Sequence, residues 1–191
     1  RFPAVCCDPA LDDFLQGVLI RAQLLFRDWF RGIYVAGVVV LINNASILTP
    51  RKPMTEVTRR EWDETMAVNL RGVFLCTRAA LKIMLPQRRG LIINVSSGAG
   101  KRGIAGWGAY AVSKWGVEGF TKTVAEEVKD TGVQVIAVNP GGTRTGMRAL
   151  AFPDEDPLTL KTPEKVAEFI VSLATGEIAF QTGDSIDYPA R

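Results

Sequence analysis

Apolar positions follow two alternating regimes along this 191-residue chain. Behind Asp8-Pro9, a cap followed by proline at the first helical position, Leu11, Phe14, Leu15, Val18, Ala22, Leu25, Phe26 and Trp29 recur at helical spacing and predict a helix with one buried face. From Tyr34 to Ile42 the pattern becomes a continuous run rich in β-branched residues. That is the signature of a parallel strand covered on both faces, and it stops at the loop Asn43-Asn44-Ala45-Ser46. Thr58 with Glu61 forms a capping-box signature, and helical periodicity from there to Leu85 is expected to stop at Pro86. Gly90 opens a strand ending at Ser96-Ser97. A loop carrying Gly98, Gly100, Gly103, Gly106 and Gly108 follows, then a helix to about Asp130. Gln134 to Asn139 reads as a strand closed by Pro140-Gly141-Gly142, Thr162-Pro163 opens a last helix to about Thr175, and Gly183 to Ile186 reads as an edge strand. Strands alternating with helices predict an α/β fold with a doubly wound parallel sheet. No repeat, low-complexity tract or linker divides residues 1–191, so a single domain is expected.

Composition narrows the chemistry. The 23 basic and 20 acidic residues give a net charge of +3 and are scattered, without the basic stripe that nucleic-acid binding requires. Cys6, Cys7 and Cys76 are odd in number and lack metal-ligand spacing, which predicts reduced thiols of a cytoplasmic protein, no disulfide and no metal site. The absence of histidine removes Ser-His-Asp triads, Cys-His nucleophiles and the helical His-Glu-x-x-His zinc site. The most apolar run, Ile33 to Ile42, is half the roughly 20 residues a membrane span needs, and Arg1-Phe2-Pro3 opens no signal peptide.

Catalysis is therefore left to Tyr, Lys, Ser or carboxylates. Tyr110 and Lys114 sit four apart at the start of a helix, hence on one face about 6 Å apart, where the ammonium can favour the ionised phenol. A phenol so assisted becomes a usable acid or base. Ser97, closing the strand before, points into the crevice beyond the carboxyl edge of the sheet, where ligands of such folds bind, and can hold a substrate oxygen while Tyr110 moves its proton.

Together these residues resemble the short-chain dehydrogenase/reductase family: Asn43-Asn44-Ala45 after a strand, Asn69 within a long helix, Ser97, Tyr110-x-x-x-Lys114, and Pro140-Gly141 with Thr145 beyond. The resemblance covers almost the whole chain and implies a Rossmann-type sheet and hydride transfer between NAD or NADP and a carbonyl compound or secondary alcohol. It implies Tyr110 as general acid/base, Ser97 as the group orienting the substrate oxygen, Lys114 as the group lowering the phenol's pKa and holding the nicotinamide ribose, and Asn69 as the holder of a proton-relay water. Asn44 and Ala45 would line the cofactor crevice, Asp8 would lie near the adenine, and Pro140, Gly141, Thr143 and Thr145 would meet the nicotinamide. The cofactor would carry the hydride step.

Three departures accompany the resemblance. The G-x-x-x-G-x-G loop is absent, as though two strand-helix units of about 30 residues each were missing from the front of the fold. The link Arg31 to Val40 is longer than usual, and Ser46 stands where the Asn-Asn-Ala motif usually continues with glycine. Other readings of the same residues are a non-catalytic remnant that holds no dinucleotide, and an interaction protein using its long helices for association. Individually, Ser97 reads also as a turn hydroxyl, Asn69 as a solvent-facing polar residue and Asp8 as a helix cap. Gly116 and Gly119 beside Trp115 and Phe120 predict close helix packing, within the fold or in a homo-oligomer. The segment from Gly146 to Lys161 reads either as pocket lining through Met147, Leu150 and Phe152 or as a surface loop with a solvated acidic tip.

Overall fold

The computed structural model describes residues 39–189. Asp8, Cys6, Cys7, the helix expected over 11–29 and the front of the first expected strand lie outside the described residues. Four parallel strands form one sheet in the order β1 (Val40–Asn43), β2 (Gly90–Val95), β3 (Val133–Asn139), β4 (Ser185–Asp187). Between them run α1 (Arg59–Met66), α2 (Gly72–Gln87), α3 (Gly108–Glu127), the short α4 (Gly146–Ala151) and α5 (Pro163–Ala174). This is the expected Rossmann-like arrangement.

Period-two alternation sorts the strand residues onto two faces. Leu41, Ile92, Val133 and Val135 pack with Ala80 and Met84 of α2 and Val124, Ala125 and Val128 at the end of α3. Leu91, Ile93, Ile136 and Val138 face the other way, against Phe169 and Leu173 of α5. Apolar layers on both sides explain why β2 and β3 read as unbroken hydrophobic runs.

The long helical pattern before β2 resolves into more than one element. Thr58 caps α1 through a reciprocal capping box with Glu61. After Met66 the backbone opens into a π-helical turn, Ala67–Arg71, in which the Gly72 N–H reaches back five residues to the Ala67 carbonyl, before α2 begins. Pro86 does not stop α2. It sits inside the last turn, and the helix ends at Gln87, where Arg88 turns left-handed at φ 50° and Arg88 N–H and Arg89 N–H close on the Leu85 and Met84 carbonyls. A proline loses only its own N–H and restrains the residue before it, which a final turn tolerates.

Asparagines tie the carboxyl ends of β1 and β2 together and to the helices. Asn43 pairs in register with Asn94. Asn43 Nδ2 donates to Asn94 Oδ1 at 2.7 Å and to Thr77 Oγ1 of α2 at 3.1 Å, and Asn94 Nδ2 donates to Thr121 Oγ1 of α3 at 2.9 Å. All four residues are buried. Satisfied networks of this kind hold packed elements in one arrangement.

Candidate active site

Three chain segments converge beyond the carboxyl edge of the sheet. The loop after β1 brings Ser46 and Leu48, the turn after β2 brings Ser97 and Ala99, and the first turn of α3 brings Tyr110. Tyr110 is 7% exposed, walled by Leu48, Ile104, Trp107 and Met147, with the Trp107 ring edge-on at 5.5 Å. Met147 and Phe152, which lies 5.7 Å from the Trp107 ring, reach this wall, whereas Leu150 is 86% exposed. The 146–161 segment thus sends two of its three apolar side chains, Met147 and Phe152, to the wall and Leu150 to solvent. Glu155 forms a two-point ion pair with Arg148, and Asp156 caps the turn at Leu158.

Lys114 lies one turn beyond Tyr110, 3% exposed, with its ammonium 5.7 Å from the phenol ring centroid. It donates to the Val95 carbonyl at 2.8 Å, which pins the helix to the end of β2 and leaves two N–H groups for a ligand. Burial pulls its pKa down to about 8, opposed by the carboxylate of Glu118 a further turn along. Burial pushes the Tyr110 phenol up from its ordinary value, opposed by the hydroxyls of Ser97 and Ser46. Desolvation therefore wins at the phenol, and its opponents are the two hydroxyls, where the sequence pointed to the ammonium.

Ser97 fills its reading as a turn hydroxyl. Its Oγ accepts the Ala99 N–H at 3.2 Å, capping the turn at Gly98–Gly100, and that leaves the hydroxyl proton to donate into the site. The turn presses closely on α3, since a Cβ on Gly100 would come within 2.8 Å of the Lys114 carbonyl.

Asn69, in the π-helical turn, is fully buried. Its Oδ1 accepts the Ile47 N–H at 2.8 Å. Its Nδ2 donates to the Ile47 carbonyl at 2.9 Å and to Ser113 Oγ at 3.1 Å, and that hydroxyl donates to the Tyr110 carbonyl at 2.7 Å. The side chain thus clasps the loop after β1 and ties it to the helix of Tyr110. Both amide protons are committed within the fold.

After β3, Asn139 Oδ1 accepts the Gly141 N–H at 3.0 Å, and Gly141 takes the left-handed φ of 65° that glycine tolerates best. Thr143 bridges to Lys161 in parallel, and Thr145 caps α4 by accepting the Arg148 N–H. Asn44 is exposed and Ala45 half-buried at the rim. These backbone groups, with the two remaining N–H groups of Lys114 and the unpaired buried Ser96 hydroxyl, fit the nicotinamide and ribose end of a dinucleotide. Asp8, expected at the adenine, lies outside the described residues.

Several positions that support the site have no individual signature in the sequence. Asn94, Ser113 and Thr121 emerge only from strand register and helix packing, although the recurrence of asparagine at the ends of three apolar runs, Asn43, Asn94 and Asn139, is a legible signal. No group of three or more Cys, Asp or Glu among the described residues could hold a metal ion, and no helix there is long and apolar enough to cross a membrane.

Residues 30–156 match the family model for the short chain dehydrogenases. The chain is 39% identical over 147 residues to the uncharacterized oxidoreductase YciK of Escherichia coli, covering 77% of this chain and 58% of that protein. It is 37% identical over 158 residues to the 3-oxoacyl-[acyl-carrier-protein] reductase FabG of Vibrio cholerae, covering 78% of this chain and 64% of the relative. The chain thus spans about three fifths of the length of these curated relatives. A short chain dehydrogenase from Shigella flexneri, solved in complex with NADP, superposes with a TM-score of 0.76 at 32% identity, covering 97% of this chain and 72% of that one.

Proposed function

This chain belongs to the short chain dehydrogenase family, and on that premise we propose that it is an NAD(P)-dependent oxidoreductase acting on a carbonyl compound or secondary alcohol. The observation carrying this reading is the meeting of Tyr110, Ser97 and Lys114 at the carboxyl edge of a parallel sheet, inside an apolar wall. NADP-bound relatives of the same fold support the choice of cofactor class. The bound nicotinamide would supply or accept the hydride at the substrate carbon.

The chain's own residues do the rest. Ser97, which accepts the Ala99 N–H, keeps its hydroxyl proton for the substrate oxygen. Tyr110 Oη donates its proton to that oxygen as the carbonyl electron pair moves onto it, and takes a proton back in the oxidising direction. Lys114, one of whose N–H groups is held by the Val95 carbonyl, would give the other two to the ribose hydroxyls of a bound dinucleotide. Trp107, Phe152, Leu48 and Met147 exclude water and favour an apolar substrate. The exposed Val112, Trp115 and Phe74 on the outer face of α3 and α2 support association of subunits through that face.

The test is titration with NADH and NADPH, following nicotinamide fluorescence, then turnover of a carbonyl panel by the parent and by Tyr110→Phe. Saturable binding with turnover reduced more than about 100-fold in the mutant is expected, at unchanged circular dichroism. A folded chain that binds neither nucleotide, or equal turnover in mutant and parent, overturns the reading.

A further inference from the structure

Ser46 stands at a position fixed twice over by the fold. Asn43 and Asn94 are register partners on adjacent parallel strands, and Ser46 and Ser97 each follow their asparagine by three residues. Both serines therefore follow the carboxyl ends of neighbouring strands, one from each. The peptide after Ser46 is then held by Asn69, which grips both the N–H and the carbonyl of Ile47 and reaches across to Ser113 on α3. Leu48, two residues on, packs against Tyr110. The loop is thus locked to the helix bearing the phenol on either side of Ser46.

In that setting the Ser46 Oγ is buried and makes no hydrogen bond of full geometry with any described residue. A loop hydroxyl ordinarily turns to water or to its own backbone. The loop that carries it is tied through Asn69 and Ser113 to the Tyr110 carbonyl, and with Ser97 its hydroxyl opposes the effect of burial on the phenol. Both serines keep their hydroxyl proton to give. Ser97 spends an acceptor site on Ala99 N–H, whereas the Ser46 hydroxyl is uncommitted.

We propose that Ser46 is a second hydroxyl donor to the reacting oxygen of Tyr110, joining Ser97 in holding the phenolate after its proton has left. This rests on the oxidoreductase reading above and adds to it a residue at a position where the Asn-Asn-Ala motif does not require one. Proton transfer from Tyr110 leaves a negative oxygen inside an apolar wall, and a hydrogen bond to an ionised group is about twice as strong as one between neutral groups. The charged groups around the same pocket are Lys114 and Glu118 on the phenol's own helix, Arg51 from the loop after β1 stacked on Trp107 and Phe152, and Arg148 from α4, paired with Glu155. Substituting Ser46 changes none of these.

The experiment reads the phenol directly, without cofactor. The chain has three tyrosines, so the near-ultraviolet phenolate titration of the parent minus that of Tyr110→Phe isolates Tyr110. The same difference in a Ser46→Ala background is expected to move the midpoint upward by about one pH unit. Ser46→Thr, which keeps the hydroxyl, is expected to return it toward the parent. Because alkaline pH strains the fold, tyrosine isotope-labelled at Cζ is followed in parallel by NMR at neutral pH. Ser46→Ala is expected to shift the Tyr110 resonance and leave Tyr188 in place. An unmoved midpoint and resonance in folded Ser46→Ala overturn the proposal, even if Tyr110→Phe abolishes turnover and so leaves the oxidoreductase reading standing. A phenol that responds to Ser46→Ala in a chain without turnover sustains the contact and removes the reaction.

Discussion

Lys114 combines deep burial with a charge, and the consequence is measurable in stability. Its ordinary value of 10.5 holds in the unfolded chain, while burial lowers the folded value to about 8. Between those limits the unfolded chain binds more protons, so stability rises with pH across that window and is insensitive to this group below it. The gain across the window is on the order of 3 kcal/mol. Cys76 and Tyr110 act with the opposite sign, because burial raises both and each acid then costs stability once its unfolded form ionises, from about pH 9 and 10 respectively. Both remain in Lys114→Met. Urea midpoints of parent and mutant measured from pH 7 to 10 are therefore expected to diverge, with the parent gaining relative to the mutant. Parallel curves would show that the Lys114 ammonium is not desolvated. At this scale the sequence exposes chemistry through spacing: Tyr110 and Lys114 are legible because i and i+4 share a helix face. Ser46 is legible only as a departure from a motif, since its burial and its neighbour depend on strand register, a property of two segments about 50 residues apart.

At the scale of elements, the π-helical turn between α1 and α2 is the feature the hydrophobic pattern could not display. One extra residue in a turn shifts the helix face without breaking its apolar periodicity, so 58–85 reads as one helix. The inserted turn carries Asn69, whose side chain then meets Ile47 and Ser113 at once. Its role as a clasp is a contact between distant elements and has no local sequence signal. The capping box at Thr58 and Glu61, by contrast, is entirely local and was fully readable. Asn69→Ala removes three hydrogen bonds, one buried and two part-buried, and leaves Ile47 and Ser113 to find other partners. Its expected cost is about 2–4 kcal/mol in denaturant unfolding, with hydrogen exchange accelerated at the Ile47 amide ahead of the β2 and β3 amides. Exchange at Ile47 equal to that of the parent would mean that the loop after β1 is held by something other than Asn69. The same change is expected to lower turnover beyond its effect on stability, because Ser46 sits on the released loop.

For the whole molecule, the two faces of the sheet and the outer face of its helices carry different burdens. Both faces of β2 and β3 are covered within the described residues, so their apolar content needs no partner. The helices are otherwise: Val112, Trp115 and Gly119 follow at i, i+3 and i+7 along one side of α3, with Val112 42% and Trp115 51% exposed, and Phe74 of α2 is exposed beside them, edge-on to Phe120. Gly116, one residue on, is used inside the fold, since a Cβ there would come within 2.8 Å of Leu70. Gly119 has open space among the described residues. The two glycines that looked alike in the sequence thus face different ways, one toward the fold's interior and one outward on an apolar stripe without side-chain bulk. A stripe lying along one helix is self-complementary under a twofold axis, which favours association of two copies through the same face. Trp115→Glu removes the largest exposed ring and places a charge at the centre of that face while leaving the core untouched. The parent is expected to migrate at twice the chain mass in light-scattering chromatography, and the mutant at the chain mass with unchanged circular dichroism. A parent that stays monomeric on concentration, or a mutant that remains paired, would place the oligomer contact elsewhere or remove it. Since the same helix carries Tyr110 and Lys114 on its inner side, pairing would also stiffen the support of the site, and the mutant's turnover per chain would then fall together with its mass.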